Sequence, residues 1–454
     1  MKASVQKLTK EQKQAVGILS IGTFLEYFDL MLYVHMAVLL NDLFFSKEDE
    51  FSLQLLSAFS FCITFIFRPI GAILIGRLGD RIGRKATVII TTTTMSISCI
   101  VMANLPTYEQ VGIIASWAVT ICRILQGMSS MGERVGAEVY LTELIRPPFV
   151  YPVVAFVSVC LTLGGTMALF IANISLSQLF NWRIAFWVGA IVAVIGSFAR
   201  RCLRETPDFA NAKRQITNLH KDLNIGSTKE KMLDKPWIKE KMNKKAVISF
   251  FFMQLSYPVC FYLIFIHSSN ILKDKFGYTA EQVIHQNFIV SSIDLVFTML
   301  ITCLVYFVNP LKFLKIKFYF ACPFVLASPF LLNYVTTGSE LMLIQIFLSL
   351  SLLVEFPATP IFYKYFPVFQ RFTTTCFSYA TSRALMYIIS SFGVIYLIKY
   401  FGNLGLLFLL FPIVIGYGLG LFYFVRTEDE KAKGSTNKTS QSMAKTESLL
   451  GDLV

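Results

Sequence analysis

Charge is the scarcest thing in this sequence. Only 15% of its residues are Asp, Glu, Lys or Arg, while 55% are hydrophobic. A soluble chain of that composition would expose large apolar patches, so a soluble globular fold is excluded. The mean hydropathy of +0.61 agrees. Histidines are few, and the nine cysteines are scattered, mostly in apolar runs such as Cys62, Cys99, Cys122, Cys160 and Cys303. None has metal-ligand or redox spacing, so no metal site is expected and the thiols read as small buried hydrophobes. No nucleophile stands at usable spacing from a base, so no catalytic residue, no enzyme activity and no organic cofactor are expected. A net charge of +13 in a soluble chain would suggest nucleic acid. In a membrane chain the bias of basic loops to one side accounts for it, and no nucleic-acid partner is expected. The first apolar run, 16–40, is too long for a signal-peptide core, so no cleavable signal is expected.

What the chain has is apolar runs. They fall at about 16–40, 53–75, 86–104, 111–141, 149–173, 182–200, 246–270, 284–308, 318–337, 340–361, 372–399 and 404–425. Most approach the roughly 20 residues that cross a bilayer. The expected fold is an all-α membrane protein of twelve transmembrane helices in two six-helix bundles. The bundles are 1–200 and 246–425, a basic cytoplasmic linker is 201–245, and a Lys/Ser/Thr-rich tail at 426–454 is expected to be disordered. Alternate loops carry the bases. Lys2, Lys7, Lys10 and Lys13, the 76–85 turn, Arg146, the linker, Lys312, Lys315 and Lys317, and Lys364 with Arg371 lie on one side. The loop at 105–110 has no base and that at 41–51 is mostly acidic, which puts both termini in the cytoplasm. The expected surroundings are a lipid bilayer, with a small-molecule solute as partner and the monomer as working unit.

The turn between the second and third runs reads Gly76-Arg77-Leu78-Gly79-Asp80-Arg81-Ile82-Gly83-Arg84-Lys85. Its glycines allow a sharp reversal and close helix approach. This pattern resembles the loop 2–3 signature of the major facilitator superfamily of secondary transporters. The resemblance implies two pseudo-symmetric halves with a site between them at the bilayer midplane. Gly76, Asp80, Arg81, Gly83 and Arg84 then form a conformational gate. Asp80 is expected to meet the start of the eleventh helix, near Arg371, when the outer side is open.

Ionisable residues within apolar runs are functional candidates because burying them is costly. In the first helix Glu26, Asp29 and Tyr33 share one face, and two carboxyls so close are expected to titrate together. In the fourth, Arg123 falls near mid-membrane and needs a carboxylate partner, the nearest source being that acid pair. Protonation of Asp29 would release Arg123, a switch suited to proton coupling, with the proton as coupling ion. Gln126 and Ser130 add polar lining, and Glu133 with Arg134 reads as a local structural pair. Glu26-Tyr27-Phe28-Asp29, Arg68-Pro69-Ile70-Gly71, Arg123-Ile124-Leu125-Gln126-Gly127, Trp182-Arg183-Ile184-Ala185-Phe186 and Arg204-Glu205-Thr206-Pro207 narrow the likeness. They resemble the metabolite:proton symporter family, which includes proline/betaine transporters. The likeness covers the first half to about residue 210 and implies a bacterial inner-membrane symporter of osmolytes or small organic acids.

The second half departs. The counterpart of the 76–85 turn reads Asn309-Pro310-Leu311-Lys312-Phe313-Leu314-Lys315 and has lost Gly and Asp, while Phe366-Pro367 and Arg371-Phe372-Thr373 keep the family's entry to helix eleven. Asp294 and Arg383 fall near mid-membrane, as partners of each other or of substrate, with Glu355 a third candidate. Tyr27, Tyr33, Tyr257 and Tyr379 offer an aromatic cage for a quaternary ammonium. Three functions stay open: proton symport of a zwitterion or organic acid, exchange or facilitation without proton coupling, and a non-transporting receptor.

Overall fold

The computed structural model describes residues 8–36, 40, 43–44, 63–176, 182–211, 213–214 and 242–451. Its first half holds α1 (Lys10–His35), α2 (Arg68–Arg81), α3 (Arg84–Asn104), α4 (Ile113–Leu144), α5 (Val150–Leu176) and α6 (Trp182–Arg200). The second holds α7 (Lys244–Asp274), α8 (Ala280–Leu304), α9 (Pro310–Tyr334), α10 (Gly338–Leu350), α11 (Val368–Phe401) and α12 (Leu407–Gly451). Among the described residues, eight segments are long and apolar enough to cross a membrane, the last, Val368–Lys433, joining α11 to α12. The early part of the expected second helix, most of the 201–245 linker, and Lys2 and Lys7 lie outside the described residues.

Starts and stops follow local chemistry. Thr9 caps α1 with a capping box closed by Gln12, and Thr279 and Gln282 do the same for α8. Asn309 caps α9, its side chain accepting from Leu311 N (2.9 Å) and Lys312 N (3.3 Å), with Pro310 at the first helical position. This corrects the sequence reading. The residues expected as loop 8–9 are the first two turns of a helix, and Lys312, Lys315 and Lys317 stand on it. At the other end α12 extends to Gly451, into the 426–454 stretch. Pairs at Arg426–Glu430 (2.8 Å) and Glu428–Lys431 (3.0 Å) support its first turns beyond Val425.

Within the first half α1 packs on α5 and α6, α3 on α4 and α6, and α2 on α4; within the second α7 packs on α11 and α12, α9 on α12, and α8 on α10. The halves meet where α2 packs on α11 and α5 on α8. After α10 the chain is irregular through 351–358 before a short turn of helix, Thr359–Tyr363. Backbone of that kind survives at membrane depth only when protein satisfies its polar groups. Here Tyr417 donates to Val354 O (2.7 Å) and Ser256 donates to Leu353 O.

Candidate functional site

Among the described residues, three charged groups take in most of the candidates. The first is in the upper part of the first half. Asp29 Oδ2 sits 3.6 Å from Arg123 Nη1. Gln126 bridges the two, donating to Asp29 Oδ1 (3.1 Å) and accepting from Arg123 (3.1 Å). The Tyr33 ring lies under the guanidinium at 4.0 Å, and Cys99 donates to Asp29 at 3.6 Å. All five side chains are buried. The geometry therefore joins Asp29, Arg123, Gln126 and Tyr33. It does not join Glu26 to them. Glu26 faces Arg68 at 3.8 Å, and neither of its oxygens has a hydrogen-bond partner among the described residues. The two acids share a helix face yet answer to different cations. Arg68, read from sequence only as part of a motif, is the missed member. Ser130 donates to its own helix at Gly127 O (2.8 Å) and is not among the walls of the cavity described below.

The second group crosses between the halves. Arg134 does not pair with Glu133. Glu133 binds Arg200 at 2.5 Å and accepts from Thr91 and Thr92. Arg134 instead reaches Glu138 (3.4 Å) on its own helix, and Glu355 (3.7 Å) and the Tyr379 hydroxyl (2.9 Å) in the other half. Tyr363 donates to Glu138 at 2.5 Å. Arg383 does not meet Asp294. It donates to Gln254 O (2.8 Å) and stacks on Tyr257 and Tyr379, each at 4.5 Å. Beside this group a cavity leaves about 100 Å³ open to water between α1, α5, α7, α8 and α9. Tyr27, Arg134, Tyr257, Asp294 and Lys317 are among its walls, and Tyr27 meets Tyr257 hydroxyl to hydroxyl at 3.1 Å.

The third group closes one end. Asp80 accepts from Phe372 N (3.3 Å), Thr373 N (2.9 Å) and Thr373 Oγ1 (2.6 Å), in the second turn of α11. A carboxylate there gains charge-assisted bonds from two backbone N–H groups and a hydroxyl near the N-terminal end of α11. Gly76 lets the backbones meet: a Cβ on it would stand 2.7 Å from Thr373 Cα. Gly83, at φ +112°, turns the chain into α3 in a conformation that side-chain-bearing residues rarely adopt. Arg84 binds Glu143 through two nitrogens (3.0 and 3.2 Å) and donates to Val368 O (2.7 Å). Arg371 binds the same Glu143 at 3.0 Å, and Thr206 donates to it at 2.7 Å. Glu143, at the end of α4, is the hub that sequence reading missed. A lone acid among basic loops was its only signal. Asp208, in the helical turn that follows α6, lies 3.6 Å from Arg371, and burial raises its carboxyl above the usual range. Arg81 is exposed and makes no ion pair among the described residues.

Two packed halves, a polar seam between them, a small cavity on the seam and an ion-paired closure at one end define a membrane carrier rather than an enzyme. Residues 19–369 match the model of the Major Facilitator Superfamily, and the chain belongs to that superfamily. It is 36% identical over 211 residues to the inner membrane metabolite transport protein YhjE of Escherichia coli K12, covering 43% of this chain and 47% of that one. It is 33% identical over 205 residues to the proline/betaine transporter of the same organism, covering 43% and 41%. These matches span about half the length of the relatives or less. In fold, the chain superposes on the proton:xylose symporter XylE with a TM-score of 0.73 at 16% identity, over 92% of this chain and 95% of that one. It also superposes on the human organic anion transporter MFSD10 with a TM-score of 0.64 at 14% identity, over 92% and 99%.

Proposed function

We propose that this chain is a secondary active transporter of the bacterial inner membrane that carries a small zwitterionic osmolyte or organic acid together with a proton. The 76–85 turn faces the cytoplasm, both termini lie there, and the monomer works alone. The observation that carries the reading is the buried Asp29–Arg123 pair, bridged by Gln126 and sealed by Tyr33. A carboxylate in the membrane interior is held charged by its cation, and taking up a proton releases that cation. Arg123 then changes partners, and the equilibrium between outward-open and inward-open forms shifts. The likeness in the first half to metabolite and proline/betaine transporters supports this reading. The closure by Asp80, Arg84, Glu143 and Arg371 supports alternating access with the cytoplasmic side shut here.

The test is solute uptake by proteoliposomes under an imposed pH gradient, with proline, glycine betaine and succinate as solutes. Wild type accumulates its solute and a protonophore abolishes accumulation. Asp29→Asn loses pH-driven accumulation while solute counterflow persists. Undiminished accumulation in the variant refutes the proton role. Wild-type uptake that ignores the protonophore and requires solute inside identifies an exchanger instead.

A further inference from the structure

The cavity on the seam contains two charges that the coupling scheme does not use. Lys317 is the eighth residue of α9, about 10 Å up from Pro310. Asp294 lies ten residues before the end of α8, about 15 Å from the same side. Counting therefore sets them at similar depth, and both line the cavity. No ion pair within 4.0 Å joins them, and Lys317 makes no hydrogen bond or ion pair among the described residues. Its ammonium lies 5.9 Å from the centre of the Phe297 ring. The third charge on the wall, Arg134, is already held by Glu138 and Glu355.

A cation and an anion facing one small space, with neither satisfied by the other, are costly in a membrane interior. A ligand that carries both charges offsets that cost. Resting on the transporter reading above, we propose that Lys317 and Asp294 are the two poles of the substrate site. Lys317 receives a carboxylate and Asp294 receives an ammonium bearing N–H groups. The substrate class is then a small amino or imino acid. The space fits: about 100 Å³ at roughly 15 Å³ for each water-sized occupant holds a solute of about seven heavy atoms.

The same geometry disfavours a quaternary ammonium. Such a group has no N–H to give Asp294 and depends on open aromatic faces. Three tyrosines that sequence suggested for a cage already carry guanidinium groups. Arg123 lies on Tyr33 at 4.0 Å, Arg383 lies on Tyr257 at 4.5 Å, and Tyr379 is stacked by both Arg134 (4.9 Å) and Arg383 (4.5 Å).

The test is equilibrium binding of proline, glycine betaine and succinate to the purified full-length protein, with no pH gradient. It is therefore independent of the proton assignment. Wild type is expected to bind proline at least tenfold more tightly than betaine. Lys317→Gln weakens proline at least tenfold. Asp294→Asn weakens proline equally and leaves succinate unchanged or tighter. Proline binding that survives both substitutions overturns the proposal, as does betaine binding tighter than proline. Should a variant fail to give monodisperse protein, reductive methylation of Lys317 in the wild type, followed by mass spectrometry, supplies the readout. Proline slows the modification if Lys317 holds its carboxylate, and an unchanged rate overturns the assignment.

Discussion

The 76–85 turn and the 309–315 segment stand at matching places in the two halves, each leading into the third helix of its bundle. Both use a side-chain oxygen to accept backbone N–H groups near a helix N-terminus, but not of the same kind of helix. Asp80 binds the second turn of α11 in the opposite half, across the seam. Asn309 caps α9, the helix it begins. One contact exists only when the halves meet, and the other exists whenever its half is folded. A bond between two moving bodies contributes to the equilibrium between conformations, whereas a bond within one body contributes to stability alone. The lost acid of the second half thus marks a division of labour: the first half holds the latch.

The sharpest way to break this comparison is at the hub. Glu143→Ala leaves Arg84 and Arg371 buried without their shared carboxylate, and removing one partner of a buried pair costs about 3–5 kcal/mol. We expect a large fall in melting temperature and in yield of folded protein. A variant as stable as wild type would mean that the closure is not held by this group.

Gly76→Val comes next. Its side chain must displace the α11 backbone at Thr373, so the seam cannot shut. Cys376, buried one turn further along α11, reports this. Its alkylation by a maleimide should speed up by more than tenfold while each half stays folded. Asp80→Asn loses the charge but keeps one acceptor oxygen. The expected loss is about 1–2 kcal/mol on the closed form only, near a tenfold shift in Cys376 labelling and a matching fall in transport. Asn309→Ala is the smallest. It should lower stability by about 1 kcal/mol, leaving labelling and transport per folded molecule unchanged. Equal transport defects at Asp80 and Asn309 would refute the one-sided latch.

Much of this was legible in the sequence where a physical penalty forces the answer. Asp29 and Arg123 were paired in advance because neither charge is tolerated alone at that depth. Asp80 was placed at α11 because a helix start accepts a carboxylate. Lys317 was misread as a loop charge. The Asn309–Pro310 start shifts the helix back by about two turns and carries that lysine into the bundle. Glu26 was assigned to Asp29 by helix spacing, which fixes a face but not which neighbour fills it. Arg68 fills it. Arg134 was matched to the adjacent Glu133, although consecutive residues on a helix do not face each other.

The sequence by itself determined the solvent, the helices and the superfamily, because hydrocarbon admits only long apolar helices and expels charge to a few loops. It also determined that Asp29 needs a cation and that Asp80 needs N–H donors. Only the tertiary structure decided the partners across the seam, Arg134 with Glu355 and Arg371 with Glu143, and set Lys317 and Asp294 on one cavity. Those placements depend on which faces of separate segments meet, whether the segments lie more than two hundred residues apart, as for Arg134 with Glu355 and Arg371 with Glu143, or follow one another, as for Lys317 and Asp294.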